Sequence, residues 1–221
     1  MSIEPLETRI APAATFTYID LDGDVVVITT SKGTNAELTE ANGVLTFSAP
    51  DPGEPDVPRQ LQKINFSVTG ENIFLFEGTD LSVKVKRKAA GGDGLAHVGF
   101  IDALDQEPAV SEISKSLGKV TIGGDLGQIE AGVNVDTIVA VKSLTVQSLG
   151  LYGLATQGGT GDLVSVIKGP LGALKVRGGV REAGVFVSSQ NEEGGTIGSV
   201  TIGGSLIGGD GTGTGVISAI G

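Results

Sequence analysis

The sequence predicts an all-β chain folded as a right-handed parallel β-helix, a solenoid, with an N-terminal hairpin or meander as its cap. Three observations carry that prediction: a short phrase repeated four times, glycine concentrated where the phrase ends, and a scarcity of aromatic residues. The phrases are LGKVTIGGDL from Leu117, VKSLTVQSLG from Val141, LGALKVRGGV from Leu171 and IGSVTIGGSL from Ile197, at steps of 24, 30 and 26 residues. Self-similarity at such a period marks an array whose units bury their apolar faces only by stacking.

Each phrase is apolar at its first, fourth and sixth positions. The fourth and sixth positions are Val120 and Ile122, Leu144 and Val146, Leu174 and Val176, Val200 and Ile202. Alternation with period two places both members of each pair on one face of a strand. The outward fifth position then holds Thr121, Thr145, Lys175 and Thr201, and the seventh holds Gly123, Gln147, Arg177 and Gly203. Gly124, Gly178 and Gly204 stand at the eighth position, where a corner is expected and glycine's tolerance of positive φ would serve it. Further apolar runs at 135–139, 163–167, 180–187 and 216–220 supply the other strands of each turn. Right-handed winding follows from the handedness of crossovers between parallel strands, and helical apolar spacing is not evident.

Ahead of the regular part, Ala14 to Asp20 and Asp24 to Thr30 are β-rich runs joined by Asp22 and Gly23, which reads as a hairpin. A third strand is expected over Gly43 to Ser48. Together they form a cap for the first rung. The division is 1–13 leader or tail, 14–49 cap, 50–60 linker rich in proline (Pro50, Pro52, Pro55, Pro58), and 61–221 β-helix. LQKINFS from Leu61 carries Leu61, Ile64 and Phe66 in the apolar frame and is read as its first copy, with LSVKVK from Leu81 and AHVGFID from Ala96 as further sides of that rung. The last residues, Ile220 and Gly221, follow a strand-like run with no polar cap, which predicts a fragment of a longer repeat protein and self-association through the open C-terminal rung.

Composition narrows the function classes. The net charge of −11 opposes nucleic-acid binding, which needs a basic footprint. The absence of cysteine removes thiolate chemistry and Cys-ligated metals. No apolar run reaches the length of a membrane span, and the first residues lack the basic and apolar regions of an ordinary secretory signal.

Each candidate site has a plainer structural reading. His97, the single histidine, has no partners at triad or metal-site spacing and reads as a structural or surface residue. Asp20, Asp22 and Asp24 imitate the opening of an EF-hand, yet Gly23 precedes the third Asp and Ser31 stands where the final Glu belongs, so a hairpin turn is preferred over calcium. GGDGTGTG from Gly208 and GGDGLA from Gly91 resemble calcium-loop repeats, but Gly213 and Ala96 occupy the place of the required Asp. Lys84, Lys86, Arg87 and Lys88 read as a solvated strand face. Asp102, Asp105 and Glu107 cluster in an expected loop, and the repeated strand offers no carboxylate pair for glycoside chemistry.

LETRIAPA near the start, FTYIDLDGDVVVITTSKG, SLTVQSLGLYG and IGSVTIGGSLIGG together resemble the Gly-rich repeat proteins of planctomycete-type bacteria, proteins without an established biochemical role. The family leader reads LEPR where this chain has LETR, with Thr8 in place of proline. The resemblance implies an envelope or extracellular location and no catalytic residue.

The expectation is therefore a non-catalytic structural or surface-display protein without cofactor or bound metal, its partners a further copy or a cell-surface polymer. The alternatives are a carbohydrate-active β-helix, which carboxylates clustered across neighbouring rungs would favour, and a calcium-dependent adhesion module.

Overall fold

The computed structural model describes residues 14–48, 57–67, 75–104, 116–133, 138–188 and 195–220. These form an all-β structure of two sheets, mostly parallel, between which one continuous cluster of buried aliphatics lies. Among the described residues there is no α-helix, only a 3-10 helix over Gly153–Gln157.

The chain begins with β1 (Ala14–Ile19) and β2 (Val25–Thr30), an antiparallel hairpin turning through Asp20 to Asp24, as expected. Next come β3 (Leu45–Phe47), β4 (Leu61–Asn65), β5 (Thr79–Arg87), β6 (Val98–Leu104), β7 (Leu117–Ile122), β8 (Asp125–Gly132) and β9 (Val141–Val146). The remainder is β10 (Ser148–Leu149), β11 (Val164–Lys168), β12 (Leu174–Val176), β13 (Val180–Arg181), β14 (Gly184–Ser188), β15 (Val200–Ile202), β16 (Leu206–Ile207) and β17 (Val216–Ala219).

The first sheet runs β1-β2-β5-β7-β9-β12-β15. It contains the strand at the centre of each repeated phrase, in register: Val120 lies beside Leu144, Leu144 beside Leu174, and Leu174 beside Val200, while the phrases' last residues enter the second sheet. The first positions form a second column, Leu117, Val141, Leu171, Ile197. Identical phrases stack this way because equal spacing brings equal side chains together one strand separation, about 4.8 Å, apart. The outward residues stack too, Thr121 on Thr145 and Lys175 on Thr201.

In the second sheet a column of apolar side chains runs Leu61, Val98, Leu126, Leu149, Val180, Leu206 through β4, β6, β8, β10, β13 and β16. The long strand β8 meets β10 along its first residues and β11 along its last. The chain therefore leaves the sheet between β10 and β11, over residues 150–163, on an excursion that carries the 3-10 helix.

Three expectations change, and a fourth falls mostly outside the described residues. Leu61 does not begin the repeat frame: β4 lies in the second sheet, and the strand beside the first phrase is β5, whose Leu81 and Val83 pair with Val120 and Ile122. Leu61 and Leu81 both head alternating runs, so pattern alone does not assign the sheet. Of the run at 135–139 only Ile138 and Val139 are described, and neither lies in a strand. Residues 134–137 lie outside the description and Val139 is exposed, whereas β8 occupies the Gly-containing stretch Asp125–Gly132. Gly124, Gly178 and Gly204 do not take positive φ. They stand where adjacent layers touch: a Cβ would meet the Ala96 oxygen at 2.5 Å from Gly124 and the Gln147 oxygen at 2.9 Å from Gly178. Val200, expected in the core, is 44% exposed because no described strand lies beyond β15, while Val120, Leu144 and Leu174 are buried.

At the other end both sheets close with antiparallel strands, β2 on β5 and β3 on β4. The leader and most of the Pro-rich segment lie outside the described residues, but Arg59 is no part of an exposed linker. Its guanidinium is buried, pairs with Glu40 and rests 4.2 Å from the Phe47 ring centre, and the backbone N–H of Arg59 donates to the Ile19 carbonyl. Lys84, Lys86, Arg87 and Lys88 are exposed as expected, while Val83 is buried.

Candidate functional site

The hairpin turn, the loop before β6 and the excursion after β10 meet at one corner of the second sheet. Two strand glycines make that meeting possible. Gly99 and Gly127 lie on the outer face of β6 and β8, and a Cβ on Gly127 would come within 3.3 Å of the Thr156 hydroxyl while one on Gly99 would collide with the Thr156 carbonyl. Glycine inside a strand marks close approach of another segment, a signal present in the sequence at both positions.

Buried Asp125 fixes the excursion. Its carboxylate accepts bonds from the Ser148 hydroxyl at 2.6 Å, Leu151 N–H at 3.1 Å and Tyr152 N–H at 3.2 Å. Burial raises its pKa, against the lowering effect of these bonds. The Asp125 N–H donates to His97 Nδ1 at 2.9 Å. Neutral His97 therefore carries its proton on Nε2, which stands 3.5 Å from Asp93 Oδ2. The His97 and Tyr152 rings pack with centres 4.5 Å apart. His97 lies just before β6, which begins one residue later, at Val98.

The acidic turn embraces the loop at Gly91. Asp24 accepts from Ala89 N–H and Gly94 N–H, Asp22 from Asp93 N–H at 2.7 Å, and Asp20 from Asp24 N–H at 2.7 Å. The two Gly- and Asp-rich stretches, separate in sequence, form one structure, with Asp20, Asp22 and Asp24 each offering an oxygen within 4.8 Å of the others. Burial, followed by the bond to Asp22, pushes the Asp20 pKa up to about 7. Asp22 is lowered, mainly by that same bond. Tyr18, buried on the core side and with no hydrogen-bond partner for its hydroxyl among the described residues, is held protonated by burial and by the charge of Asp20.

Between these parts lies a cavity of ≈ 380 Å³. Asp20, Asp22, Asp93, His97 and Gln60 supply its polar groups, and Leu21, Tyr152 and Ala155 its apolar side. Gln60 is positioned by bonds from its side chain to the carbonyls of Leu61 at 2.9 Å and His97 at 3.1 Å. Asp93 is the carboxylate of the GGDGLA stretch, whereas Tyr152 did not stand out in the sequence as a site residue.

A second polar group sits further along the same sheet. Asp102 is not in a loop but on β6, 4% exposed, paired with Lys63 at 2.8 Å and bonded by the Ser67 hydroxyl at 2.9 Å. It lies in register beside Glu130 of β8. Burial first, then the charges of Asp102 and Asp162, raise the Glu130 pKa. Gln128 donates to Glu130 at 3.4 Å and to Asp162 at 3.1 Å. Asp105 and Glu107 lie outside the described residues. The stretch from Gly208 is a turn closed on itself, with Gly209 N–H donating to the Thr214 hydroxyl at 2.8 Å.

Comparison of the chain with protein-family models, curated proteins and solved structures finds no match. What defines the protein is thus its own architecture: an all-β chain of parallel sheets with a cavity at its antiparallel end. No described helix is long and apolar enough to cross a membrane.

Proposed function

We propose that the chain is a non-catalytic structural or surface-display module of the cell envelope or exterior, wound as a right-handed parallel β-helix whose open rung accepts another copy. The observation that carries the reading is the in-register stacking of the four phrases, with apolar residues inward and threonine or lysine outward. Repetition of this kind makes a rigid, extendable body and accumulates no reactive group along its ladder. The exposed apolar residues of the last rung, Val200, Leu206 and Val216, are the acceptor surface. The likeness to Gly-rich repeat proteins supports the location.

Sedimentation velocity across protein concentration tests the reading. Association that Leu206→Glu abolishes is expected; a parent that stays monomeric at high concentration, or a variant that associates equally, refutes it.

A carbohydrate-active β-helix is the second reading, favoured by Asp102 beside Glu130. Asp102, paired with Lys63, and Glu130, whose pKa burial raises, set two carboxyl groups side by side on neighbouring strands. Release of reducing or unsaturated ends from polysaccharide, lost in Glu130→Gln with the fold retained, would establish it over the structural reading.

A further inference from the structure

The cavity at the antiparallel end has a two-part lining that the structural reading does not use. Its polar side carries the carboxyls of Asp20, Asp22 and Asp93, and no lysine or arginine is among the residues that line it. Its rim is apolar and open: Leu21 is 65% exposed and Tyr152 47% exposed, with Ala155 beside them in the lining. Exposed large apolar side chains grouped at the mouth of a cavity mark a place where something docks.

We propose that this cavity binds a small organic ammonium ion, a ligand with one positive head and a compact apolar body. The carboxyls select charge: in a chain of net charge −11, a lining of this sign attracts cations and turns anions away. The rim selects shape. The face of Tyr152 both shields an apolar body and attracts a cation through its ring quadrupole, and a hydrated metal ion has no use for Leu21, Ala155 and Tyr152. A volume of ≈ 380 Å³ accommodates one ring with its substituent, not a chain of sugars.

The site is also preorganised. Asp125 holds the backbone on both sides of the Leu151–Tyr152 peptide, His97 packs against the Tyr152 ring, and Asp22 is fastened to the Asp93 backbone. A ligand that enters finds its walls in place and spends little affinity on ordering them.

Calorimetric titration of the full chain at pH 7.5 and constant ionic strength, with benzylammonium chloride, tests the assignment. Benzyl alcohol is the neutral isostere, benzoate the anionic one, and calcium chloride the metal control. Saturable one-to-one binding of benzylammonium is expected, with benzyl alcohol and benzoate at least about ten-fold weaker. Asp22→Asn and Tyr152→Ala should each weaken it about ten-fold or more, whereas Asp210→Asn, exposed in the far turn, should leave it unchanged. Tyr152→Ala removes a side chain that is 47% exposed and outside the buried core, so the test stands even where Asp22→Asn fails to fold. Absence of saturable binding, equal affinity for benzyl alcohol, indifference to both substitutions, or calcium binding more tightly through the same carboxyls would each overturn the proposal.

Discussion

The backbone N–H of Asp125 donates to His97 Nδ1, while the Asp125 carboxylate grips the excursion that carries Tyr152. One residue therefore joins the loop before β6 to a segment more than fifty positions further along the chain, through its backbone on one side and its side chain on the other.

Removing the acceptor should show what that join contributes. His97→Ala leaves the part-buried Asp125 N–H without its partner and should lower stability by about 1–3 kcal/mol. Denaturant unfolding is the measurement. A loss under 0.3 kcal/mol would mean that water replaces the imidazole without cost.

The columns of the first sheet are not equal along their length. Leu144→Ala, flanked by Val120 and Leu174, should cost about 2–5 kcal/mol. Val200→Ala, in the same column but 44% exposed, should cost less than about 1 kcal/mol in the monomer. Equal costs would show that the column is not graded by its neighbours.

At the corners the limit is space. Gly124→Ala would bring a methyl against the Ala96 carbonyl, and moving the layers apart should cost about 1–3 kcal/mol. Gly43→Ala, where no atom lies within 4 Å but φ is +69°, gives the contrast. Its penalty is conformational, of roughly 1–2 kcal/mol, and should leave packing untouched. Hydrogen exchange in β6 and β8 separates the two, since only the first should raise exchange there.

Asp20 titrates at about 7 in the fold against 3.8 in the unfolded chain. Between those values the folded state binds the extra proton, so its contribution is fully present below pH 3.8 and is lost as pH rises to about 7. Asp22, being lowered, acts in the opposite direction and only below 3.8. The titratable groups facing Asp20 are Asp22 and Asp24 on the turn, with Asp93 and His97 across the cavity. Melting temperatures from pH 4 to 7 should therefore fall less steeply in Asp20→Asn than in the parent; parallel slopes would exclude Asp20 as the cause.

The repeat frame was legible because a stack uses the same residue types at the same place on every pass. Its register, the hairpin at Asp22 and Gly23, and the β17 run all follow from patterns of period two. Leu61 and Leu81 show the limit: two alternating runs look alike, and only the pairing of β5 with β7 distinguishes the sheet each joins. Strand β8 was hidden by its glycines, which serve the excursion above it and weaken its β signature. The cavity was the least legible part. Asp20, His97 and Tyr152 come from three distant segments, and nothing in the spacing of an aspartate and a tyrosine along the chain announces that they share a wall.

The break in the second sheet has its own bearing on how such a chain could diversify. After the uninterrupted β8, successive passes part at the same seam, over residues 150–163, 182–183 and 208–215, and rejoin the ladder in register each time. The entropy of closing a loop grows only slowly with its length, so the seam tolerates a large insert almost as readily as a small one. The ladder sets stability and the seam sets surface, and the two vary independently. A segment grafted into 208–215, where no residue is buried, would be displayed beside the sheet without a core side chain having to change.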